Sequence, residues 1–581
     1  MATLALAAAG AAAGSALLPS GLTVLGATIG GATIGAQVGA LAGSFVDQAL
    51  FGASGQSRTF TGPRISDLRV TASTEGAPIP RVYGRARVGG QVIWATDFEE
   101  EVVTSQTGGG GKGGGSSGAS KQVEYRYYGN FAVGLAEGEI SGIGRVWADG
   151  QELDLSSVTW RLYTGSEDQE PDSLISAHEG AESTPAYRGL AYVVFERMPL
   201  ASYGNRLPQL SFEVFRAVDD FHRNVRGVVL IPGSGEFVYA TEEVTRLEAG
   251  GVQLAENVHT RQGGTDWTVS IDQLQSSLPN ARSVSLISSW FGTDLRASHC
   301  EIRPGVEIAK KSTKPLTWSV AGLSRSAAHV VSLHEGRPAY GGTPSDQTVI
   351  SAIRDLKKRG FSVVLTPFIL MDVPAGNSKP DPYKGGAPGQ PAYPWRGRIT
   401  VELAPGQPGT TDKTVAAAAE VAAFVGTASV SDFAVSGDRV AYGGQPEWSY
   451  RRFILHHAFL AKAAGGVDAF VIGTEMRGLT QIRSGPQDYP FVAALVQLAA
   501  DVKQVLGPET KVTYAADWSE YFGHQPQDGS NDVYFNLDPL WASPDIDAIG
   551  IDLYWPLSDW RDGADHLDVL AGAAPHMILI T

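Results

Sequence analysis

The sequence predicts a multidomain protein with an N-terminal glycine-zipper helix, a mostly β domain and a (β/α)8 TIM-barrel-like domain that is incomplete at residue 581. Three observations support this fold class. Residues 1–46 carry no charged side chain, short alternating apolar runs follow as far as about residue 215, and from about residue 225 helical patterns alternate with short buried strands. We therefore place the domains at residues 1–57, 58–220 and 221–581.

The composition is that of a globular, turn-rich protein. Hydrophobic residues make up 43% of the 581 residues, charged residues make up 18%, and there are 70 glycines. The net charge of −16 argues against a nucleic-acid-binding surface. The single cysteine, Cys300, excludes a disulfide within the chain and a multi-cysteine metal site, and we expect its thiol to be buried. No residue pattern indicates a metal or a redox cofactor, so none is expected.

The N-terminal segment has glycines four residues apart. Gly31, Gly35, Gly39 and Gly43 would lie on one helical face, where small residues let helices approach closely. A signal peptide would need a basic residue before its apolar core, and residues 1–21 contain none; a membrane anchor would be flanked by interfacial aromatic or basic residues. We favour a third interpretation, a glycine zipper that packs on identical helices around a symmetry axis.

Alternating apolar runs separated by turn-forming residues predict the β domain. The runs cover residues 91–97, 123–128, 144–148, 190–195 and 210–215, and the turn formers include Asp149-Gly150, Thr164-Gly165 and Gly204-Asn205. Residues 108–120 are mostly Gly and Ser, which predicts a flexible tip that joins two strands. Because no cluster of His, Asp or Glu here has catalytic spacing, we interpret this domain as a scaffold or ring-forming module.

Short apolar strands and longer helices alternate in the third domain. The predicted strands cover residues 283–288, 362–368, 469–475, 511–516, 548–553 and 576–581, and the predicted helices cover residues 346–359, 413–424, 446–464, 490–506 and 565–571. In a β/α barrel, reactive side chains lie at the C-terminal ends of the strands. Functional residues are therefore expected at those positions.

Several strand ends carry residues suited to a sugar site. Glu475 follows an apolar strand and is the candidate catalytic carboxylate. The other candidates are aromatic side chains that could stack on sugar rings and acids that could bind hydroxyls, namely Trp290, Trp518, Tyr554, Trp555, Trp560, Asp517, Glu520 and Asp552. Taken singly, each aromatic is more often part of a core. Their coincidence at one face favours a binding site.

Three motifs in the β domain resemble the tail-tip and hub proteins of long-tailed phages. They are Pro78-Ile-Pro-Arg-Val-Tyr-Gly-Arg-Ala-Arg-Val-Gly-Gly90, Thr184-Pro-Ala-Tyr-Arg-Gly-Leu-Ala-Tyr-Val-Val-Phe195 and Gly204-Asn-Arg-Leu-Pro-Gln209. The resemblance is strongest to the large tail-tip (host-specificity, "megatron") proteins of gene transfer agents, which are phage-like particles that carry DNA between bacteria. It implies a phage tail-hub domain in a closed assembly, although turn chemistry alone also explains these residues.

The third domain resembles clan A glycoside hydrolases, including mannanase-like families and the barrel of gene-transfer-agent tail proteins. The similar segments are Ile472-Gly-Thr-Glu475, Thr513-Tyr-Ala-Ala-Asp-Trp518 and Ile549-Gly-Ile-Asp-Leu-Tyr-Trp-Pro-Leu-Ser-Asp-Trp560. In that clan a Glu after the fourth strand is the acid/base and a Glu after the seventh is the nucleophile. The resemblance implies the first role for Glu475.

The expected nucleophile has no counterpart in this sequence. It would follow a strand such as Ile578-Leu-Ile-Thr581, where the sequence stops. Retaining hydrolysis needs two carboxyls about 5–5.5 Å apart. We therefore expect a longer natural protein, and no retaining activity from these 581 residues alone.

The resemblance implies a structural component of the tail tip or baseplate of a gene transfer agent, which forms the hub and aids host attachment and DNA delivery. Its barrel would bind or cleave bacterial surface glycans. The alternatives are a glycoside hydrolase of cell-wall or capsular polysaccharide as the main activity, or a catalytically dead carbohydrate-binding barrel.

Partners and location follow from the same resemblance. The expected partners are further copies in a homotrimer, the distal tail, hub and tape-measure proteins, a bacterial surface glycan and the host outer membrane, while DNA would pass through without sequence-specific contact. The expected location is the tail tip of a virion-like particle that is assembled in the bacterial cytoplasm and released.

Overall fold

The structure, a computed structural model, describes residues 22–24, 27–29, 78–107, 120–217, 220–231, 235–554 and 565–571. The chain divides into two compact units, Met1–Ser66 and Asp67–Thr581. The domain boundaries at residues 57 and 220 stay predictions.

The first unit differs from the predicted helix where it is described. Strands β1 (Leu22–Val24) and β2 (Ala27–Ile29) pair in antiparallel fashion. Both strands contain β-branched residues, which favour extended backbone over helix. Gly31, Gly35, Gly39 and Gly43 lie outside the described residues, so the zipper beyond this point stays a prediction.

Two antiparallel sheets form the β-rich part of the second unit. The elements are β3 (Gly84–Gly89), β4 (Gln91–Ala95), β5 (Glu99–Thr107), β6 (Ser120–Glu137), β7 (Gly142–Ala148), β8 (Gln151–Glu152), β9 (Thr159–Tyr163), α1 (Ser173–Glu179), β10 (Leu190–Pro199) and β11 (Leu210–Arg216). One sheet has the order β4-β6-β10-β9 with β5 paired to β6, and the other has the order β3-β11-β7-β8.

One shared core holds these two sheets together. Every second residue of β7 is buried, as expected for a strand with one face towards a core. Phe131 and Phe195 of the first sheet pack in the same cluster as Phe212 of the second. The β-rich prediction is thus confirmed.

The predicted tip joins a long hairpin. Strands β5 and β6 pair from Glu99 opposite Tyr128 to Thr107 opposite Ser120. The tip itself, residues 108–119, lies outside the described residues. The sequence analysis missed β5, because three consecutive glutamates at its start hide the strand pattern.

Helices and strands alternate through the rest of the second unit. The elements are α2 (Asp220–Asn224), β12 (Gly227–Leu230), β13 (Thr245–Leu247), β14 (Gln253–Ala255), α3 (Asp266–Ser277), β15 (Ser283–Gly292), β16 (Ile302–Arg303), β17 (Gly305–Val306), β18 (Thr313–Lys314), β19 (Ser319–Val320), β20 (Leu323–Ser324), β21 (His329–Val330), β22 (Leu333–His334), β23 (Arg337–Pro338), α4 (Asp346–Lys358), β24 (Ser362–Met371), β25 (Pro380–Asp381), β26 (Ala387–Pro388), α5 (Val415–Val425), β27 (Phe433–Ser436), β28 (Arg439–Tyr442), α6 (Tyr450–Ala463), β29 (Ala469–Thr474), α7 (Arg477–Thr480), α8 (Pro490–Leu506), β30 (Lys511–Asp517), α9 (Trp518–Tyr521), α10 (Asp538–Trp541), β31 (Gly550–Asp552) and α11 (Leu567–Leu570).

Six of these strands form a parallel sheet in the order β12-β15-β24-β29-β30-β31, which is also their order along the chain. Sequential parallel neighbours with helices between them are the arrangement of a β/α barrel. Within the described residues β12 and β31 pair with no strand on their outer sides, so the sheet is an open, barrel-like one. The coarse TIM-barrel-like prediction is confirmed, whereas an eight-stranded barrel stays a prediction.

The strand count places Glu475 in the fold. Strand β12 was not predicted, because four residues are too short for a periodic signal. It is the first strand of the parallel sheet, so β29 is the fourth and Glu475 follows it directly.

Cys300 is buried as expected, and burial raises the pKa of its thiol to about 12.

Candidate functional site

The candidate site lies at the carboxyl edge of three neighbouring parallel strands. Strands β29 and β30 pair with Thr474 opposite Ala515, and β30 and β31 pair with Asp517 opposite Asp552. Because parallel strands all end at the same edge of a sheet, Glu475, Asp517 and Asp552 are carried to one region.

Glu475 is a buried carboxylate with four fixed contacts. Its backbone N–H donates to Ala515 O at 2.8 Å, which extends the ladder of β29 and β30 by one bond. Trp395 Nε1 donates to Oε2 at 2.6 Å, and Tyr554 Oη donates to Oε1 at 2.7 Å. Arg396 Nη2 lies 3.0 Å from Oε2. The carboxylate is therefore held from both sides.

The backbone of Glu475 also departs from the strand. Its φ of 52° is in the left-handed region that side-chain-bearing residues rarely adopt. This conformation turns the chain directly after β29 and leads into α7. Backbone strain of this kind clusters at functional sites.

Arg396 supplies the positive charge beside Glu475. The guanidinium is buried, its carbon lies 3.8 Å from the centre of the Phe368 ring, and Nε donates to Thr474 O at 2.9 Å and Thr474 Oγ1 at 2.8 Å. Burial lowers the pKa of Arg396, and the nearby Glu475 carboxylate opposes that shift. A buried cation and a buried anion thus depend on each other here.

Asp552 is the second carboxyl group of the site. Burial, followed by the charge of the neighbouring Glu475, raises the pKa of Asp552 to about 7. Two carboxyls that share a small volume cannot both ionise easily. Asp552 therefore keeps its proton to a higher pH than an ordinary aspartate, next to Glu475.

Asp517 and Glu520 have local structural roles instead. Asp517 caps α9 and accepts a hydrogen bond from Ser519 N at 2.9 Å. Glu520 accepts hydrogen bonds from Thr480 Oγ1 at 2.6 Å and Tyr514 Oη at 2.9 Å, and burial raises its pKa to about 7. Both acids lie near the predicted place, and these hydrogen bonds connect them to neighbouring parts of the chain.

The predicted aromatic residues divide into three groups. Trp518 and Tyr554 lie at the strand ends with 40% and 69% of their surface exposed. Trp555 and Trp560 lie outside the described residues. Trp290 is a correction to the prediction of a ligand-facing ring, since it is 1% exposed and packs against Trp448 and Phe453.

The position of Trp290 has a simple cause. The predicted strand ended at Ser288, which would leave Trp290 in the loop beyond it. Strand β15 continues to Gly292, so Trp290 is still inside the sheet. Side chains alternate between the two faces of a strand, and the face of Ser288 and Trp290 is turned towards His457 of α6.

The sequence analysis missed Trp395 and Arg396. Both lie in the connection between β24 and α5, about eighty positions before Glu475 in the chain. A Trp-Arg pair in a long connection that follows the third strand of a predicted barrel is the signal that could have drawn attention to them, since barrel sites are built from such loops.

A cleft of about 810 Å³ adjoins Glu475 through Trp395, which is 37% exposed. Its lining comes from the connection that carries Trp395, from the turn after Glu475 and from residues 524–528. The charged side chains of the lining are Arg398, Asp412, Lys413, Arg477, Arg483 and Asp528. Within the described parts of the chain, no cluster of three or more His, Cys, Asp or Glu side chains could hold a metal ion.

Comparison with known proteins identifies the second half of the parallel sheet. Residues 448–577 match the family described as the GTA TIM-barrel-like domain. The matched range contains Glu475, Asp552 and Tyr554, and it begins after Trp395. This part of the chain is therefore similar to that domain. No curated protein matches the chain.

Solved structures give weaker likenesses. One is a chain of the "Virion of native gene transfer agent (GTA) particle", with 27% identity over 57% of this chain and 85% of that chain, and a TM-score of 0.24. Two others are complexes of GH113 β-mannanases, one a β-1,4-mannanase and one AaManA from Alicyclobacillus acidocaldarius with ManMIm. They have 16% and 17% identity over 48% and 50% of this chain and TM-scores of 0.23 and 0.22. The matches span 54% and 56% of those mannanase chains. The fold assignment rests on the strand order of this chain.

Proposed function

We propose that this chain is a component of a gene transfer agent particle and that its TIM-barrel-like domain binds a bacterial surface glycan at the Glu475 site. The match of residues 448–577 to the GTA TIM-barrel-like domain carries the first part of the proposal. The second part follows from the chemistry of the site.

The site combines the groups that sugar recognition uses. Trp395 offers a half-open aromatic ring, and it is fixed by its bond to Glu475. Tyr554 and Glu475 add a hydroxyl and a carboxylate, which suit the alternating donors and acceptors of a sugar. A concave site with an aromatic wall and a few placed polar groups is typical of small-ligand binding.

Hydrolysis is the second candidate, and the pair of Glu475 and Asp552 favours it. In a retaining mechanism one carboxyl protonates the leaving oxygen while the other forms a glycosyl intermediate that water then hydrolyses. The two carboxyls of such a pair stand about 5–5.5 Å apart, with the sugar between them. Asp552 ends β31, the sixth strand of the parallel sheet, whereas the nucleophile of the clan follows the seventh, so Asp552 does not take the nucleophile's place. We therefore rank binding first and assign Glu475 the acid/base role in any complete form that cleaves.

Substitution of Trp395 tests glycan binding. Capsular polysaccharide purified from recipient cells and mannohexaose serve as probes in titration calorimetry. Trp395→Ala removes the ring and should weaken binding at least about 10-fold, since burial of a large apolar side chain contributes about 1.5–3 kcal/mol. Trp395→Phe keeps the ring and loses only the bond to Glu475, so it should bind nearly as well as the natural protein. Equal binding by Trp395→Ala and the natural protein would contradict the proposal.

Substitution of Glu475 separates binding from cleavage. In a complete form that cleaves, Glu475→Gln should lower turnover by about 10²–10⁴-fold because it removes the acid/base group, and glycan binding should persist. Glu509→Gln, at an exposed glutamate, is the matched control. Recipient-cell attachment that is unaltered by Glu475→Gln would assign the domain to binding alone.

Particle membership and symmetry form a separate part of the proposal. We propose a homotrimer at the tail tip that forms the hub and aids host attachment and DNA delivery, with the distal tail and tape-measure proteins as neighbours; the glycine spacing at Gly31, Gly35, Gly39 and Gly43 supports self-association. Electron microscopy of purified particles should show three copies around the tail axis. A single copy off that axis would contradict the trimer.

A further inference from the structure

The cleft beside Glu475 has a charge that is opposite to that of the whole chain. The protein carries a net charge of −16. The cleft lining has four basic side chains, Arg398, Lys413, Arg477 and Arg483, against two acidic ones, Asp412 and Asp528. Local positive charge on an acidic protein concentrates anions at that place.

Two of the four basic side chains are already neutralised. Arg483 Nη2 lies 3.1 Å from Asp412 Oδ2, and both side chains are buried. Lys413 Nζ lies 2.9 Å from Asp528 Oδ2. The two acids of the lining are therefore occupied by these two pairs.

Arg398 and Arg477 are left with no acidic partner among residues 235–554. Arg398 lies over the Tyr383 ring with its guanidinium carbon 4.5 Å from the ring centre. Burial raises the pKa of Tyr383 to about 12, so its hydroxyl is neutral and cannot balance the charge. Arg477 lines the same cleft as Arg398 and Tyr383.

Histidine does not change this balance. His524 lines the same cleft, and burial together with Arg483 lowers its pKa to about 4. It is therefore uncharged at neutral pH. The cleft lining therefore keeps two positive charges that no acidic side chain of the lining pairs with, and such charges attract an anion.

Backbone packing brings these two arginines together. A Cβ at Gly478 would lie 2.4 Å from Ile399 O and 2.9 Å from Gly397 O. The absence of a side chain at Gly478 lets the turn after Glu475 touch the segment that carries Trp395 and Arg398. The arginine pair is thus built into the same contact that positions the site.

We infer that this cleft recognises an acidic glycan, in which Arg398 and Arg477 bind a carboxylate or phosphate group while Trp395 supports a sugar ring. The inference rests on the proposed glycan binding and names the class of glycan. Guanidinium groups suit this task because they bind carboxylate and phosphate oxygens in a two-pronged geometry.

Three probes test the inference by calorimetry with the full chain. Oligogalacturonate carries carboxylates, a phosphomannan fragment carries phosphates, and mannohexaose is neutral. We expect at least one acidic probe to bind about 10-fold or more tightly than mannohexaose, and to lose that advantage in the Arg398→Gln/Arg477→Gln double variant. Arg337→Gln, at an exposed arginine outside the lining, is the matched control. Higher salt should weaken only the acidic probe, because screening acts on the charge contact.

The outcomes separate the inference from the proposed function. Equal binding of acidic and neutral probes, or full binding of the acidic probe by the double variant, would overturn the acidic class and leave glycan binding intact. Binding of no probe to the natural protein would overturn both. Preference for oligogalacturonate or for phosphomannan identifies the anionic group.

Discussion

Buried acids are treated in opposite ways in the antiparallel sheets and at the carboxyl edge of the parallel sheet. In the antiparallel sheets, Asp172 receives hydrogen bonds from Arg161 Nε at 2.7 Å and Tyr163 Oη at 2.8 Å. Glu213 receives one from Arg85 Nε at 2.8 Å. Burial acts to raise the pKa of both acids, but these partners hold it below the ordinary value.

At the carboxyl edge of the parallel sheet the balance is reversed. Burial raises the pKa of Glu520 and of Asp552, and in neither case do the neighbouring groups offset it. Perturbed pKa values cluster at functional sites, and Asp552 has its raised pKa beside Glu475, whereas Glu520 has it within a structural contact. Three changes test this contrast, from the largest expected effect to the smallest.

Removal of Arg161 should have the largest effect. Arg161→Ala leaves Asp172 buried without its cation, and we expect the free energy of unfolding to fall by about 3 kcal/mol, since broken buried pairs cost 3–5 kcal/mol and Arg161 is partly exposed. Urea denaturation followed by fluorescence measures the change. Arg206→Ala, which breaks the exposed pair with Asp149, is the control and should cost about 1 kcal/mol or less. Equal costs for the two variants would remove the contrast.

Glu520 should make the stability of the natural protein fall as pH rises, which is opposite in sign to the effect of an acid with a lowered pKa such as Asp172. Its pKa is about 7 in the folded state, and the ordinary value for a glutamate is 4.5. Between these values the folded state binds more protons than the unfolded state, so stability falls as pH rises and levels off above about 7. The difference between the two pKa values sets an upper limit of about 3.4 kcal/mol on this loss of stability, at 1.36 kcal/mol for each pKa unit.

Glu520→Gln removes that titration. We expect the free energy of unfolding of the variant to increase relative to that of the natural protein as pH rises from 5 to 8. Urea denaturation at each pH measures this difference. Glu509→Gln, at an exposed position, should leave the profile unchanged. A parallel profile for Glu520→Gln and the natural protein would show that Glu520 is ionised in the folded state throughout.

Gly478→Ala should have the smallest effect on stability and a clear effect on the site. The new Cβ would overlap Ile399 O, and such overpacking typically costs 1–3 kcal/mol. Because the segment with Trp395 must move away, glycan binding should weaken as well. Gly443→Ala, where the nearest atom to a Cβ is 3.9 Å away, is the control. Natural affinity in Gly478→Ala would show that this contact does not position the cleft.

Local signals made much of the fold predictable. The helix predicted at residues 490–506 is α8 without change, because Pro490 begins it and Gly507 follows it. The strands from residues 283, 362, 469 and 511 begin where predicted. Residues 293–345 gave no such signal, since their strands have two residues each and depend on packing with distant segments.

The site was less predictable than the fold. Position at a strand end was enough to find Glu475, Asp552 and Tyr554. Contacts between distant segments were not visible, so Trp395 and Arg396 were missed. The prediction that Trp290 faces a ligand was wrong because the predicted strand ended four residues too early, which placed a side chain inside the sheet in the following loop. Contacts between distant side chains depend on the conformation of the loops, and local sequence periodicity does not predict that conformation.

The left-handed backbone at Glu475 has a consequence for how this chain can change over time. A side chain at that φ costs about 1–3 kcal/mol, and glycine would relieve the cost. Loss of the carboxylate would, however, leave the charge of the buried Arg396 without a partner. A broken buried ion pair costs about 3–5 kcal/mol, which exceeds the backbone strain that glycine would remove. Replacement of Glu475 by glycine is therefore unfavourable unless Arg396 is replaced as well. Each of the two residues therefore makes replacement of the other alone unfavourable, and the strained glutamate is retained.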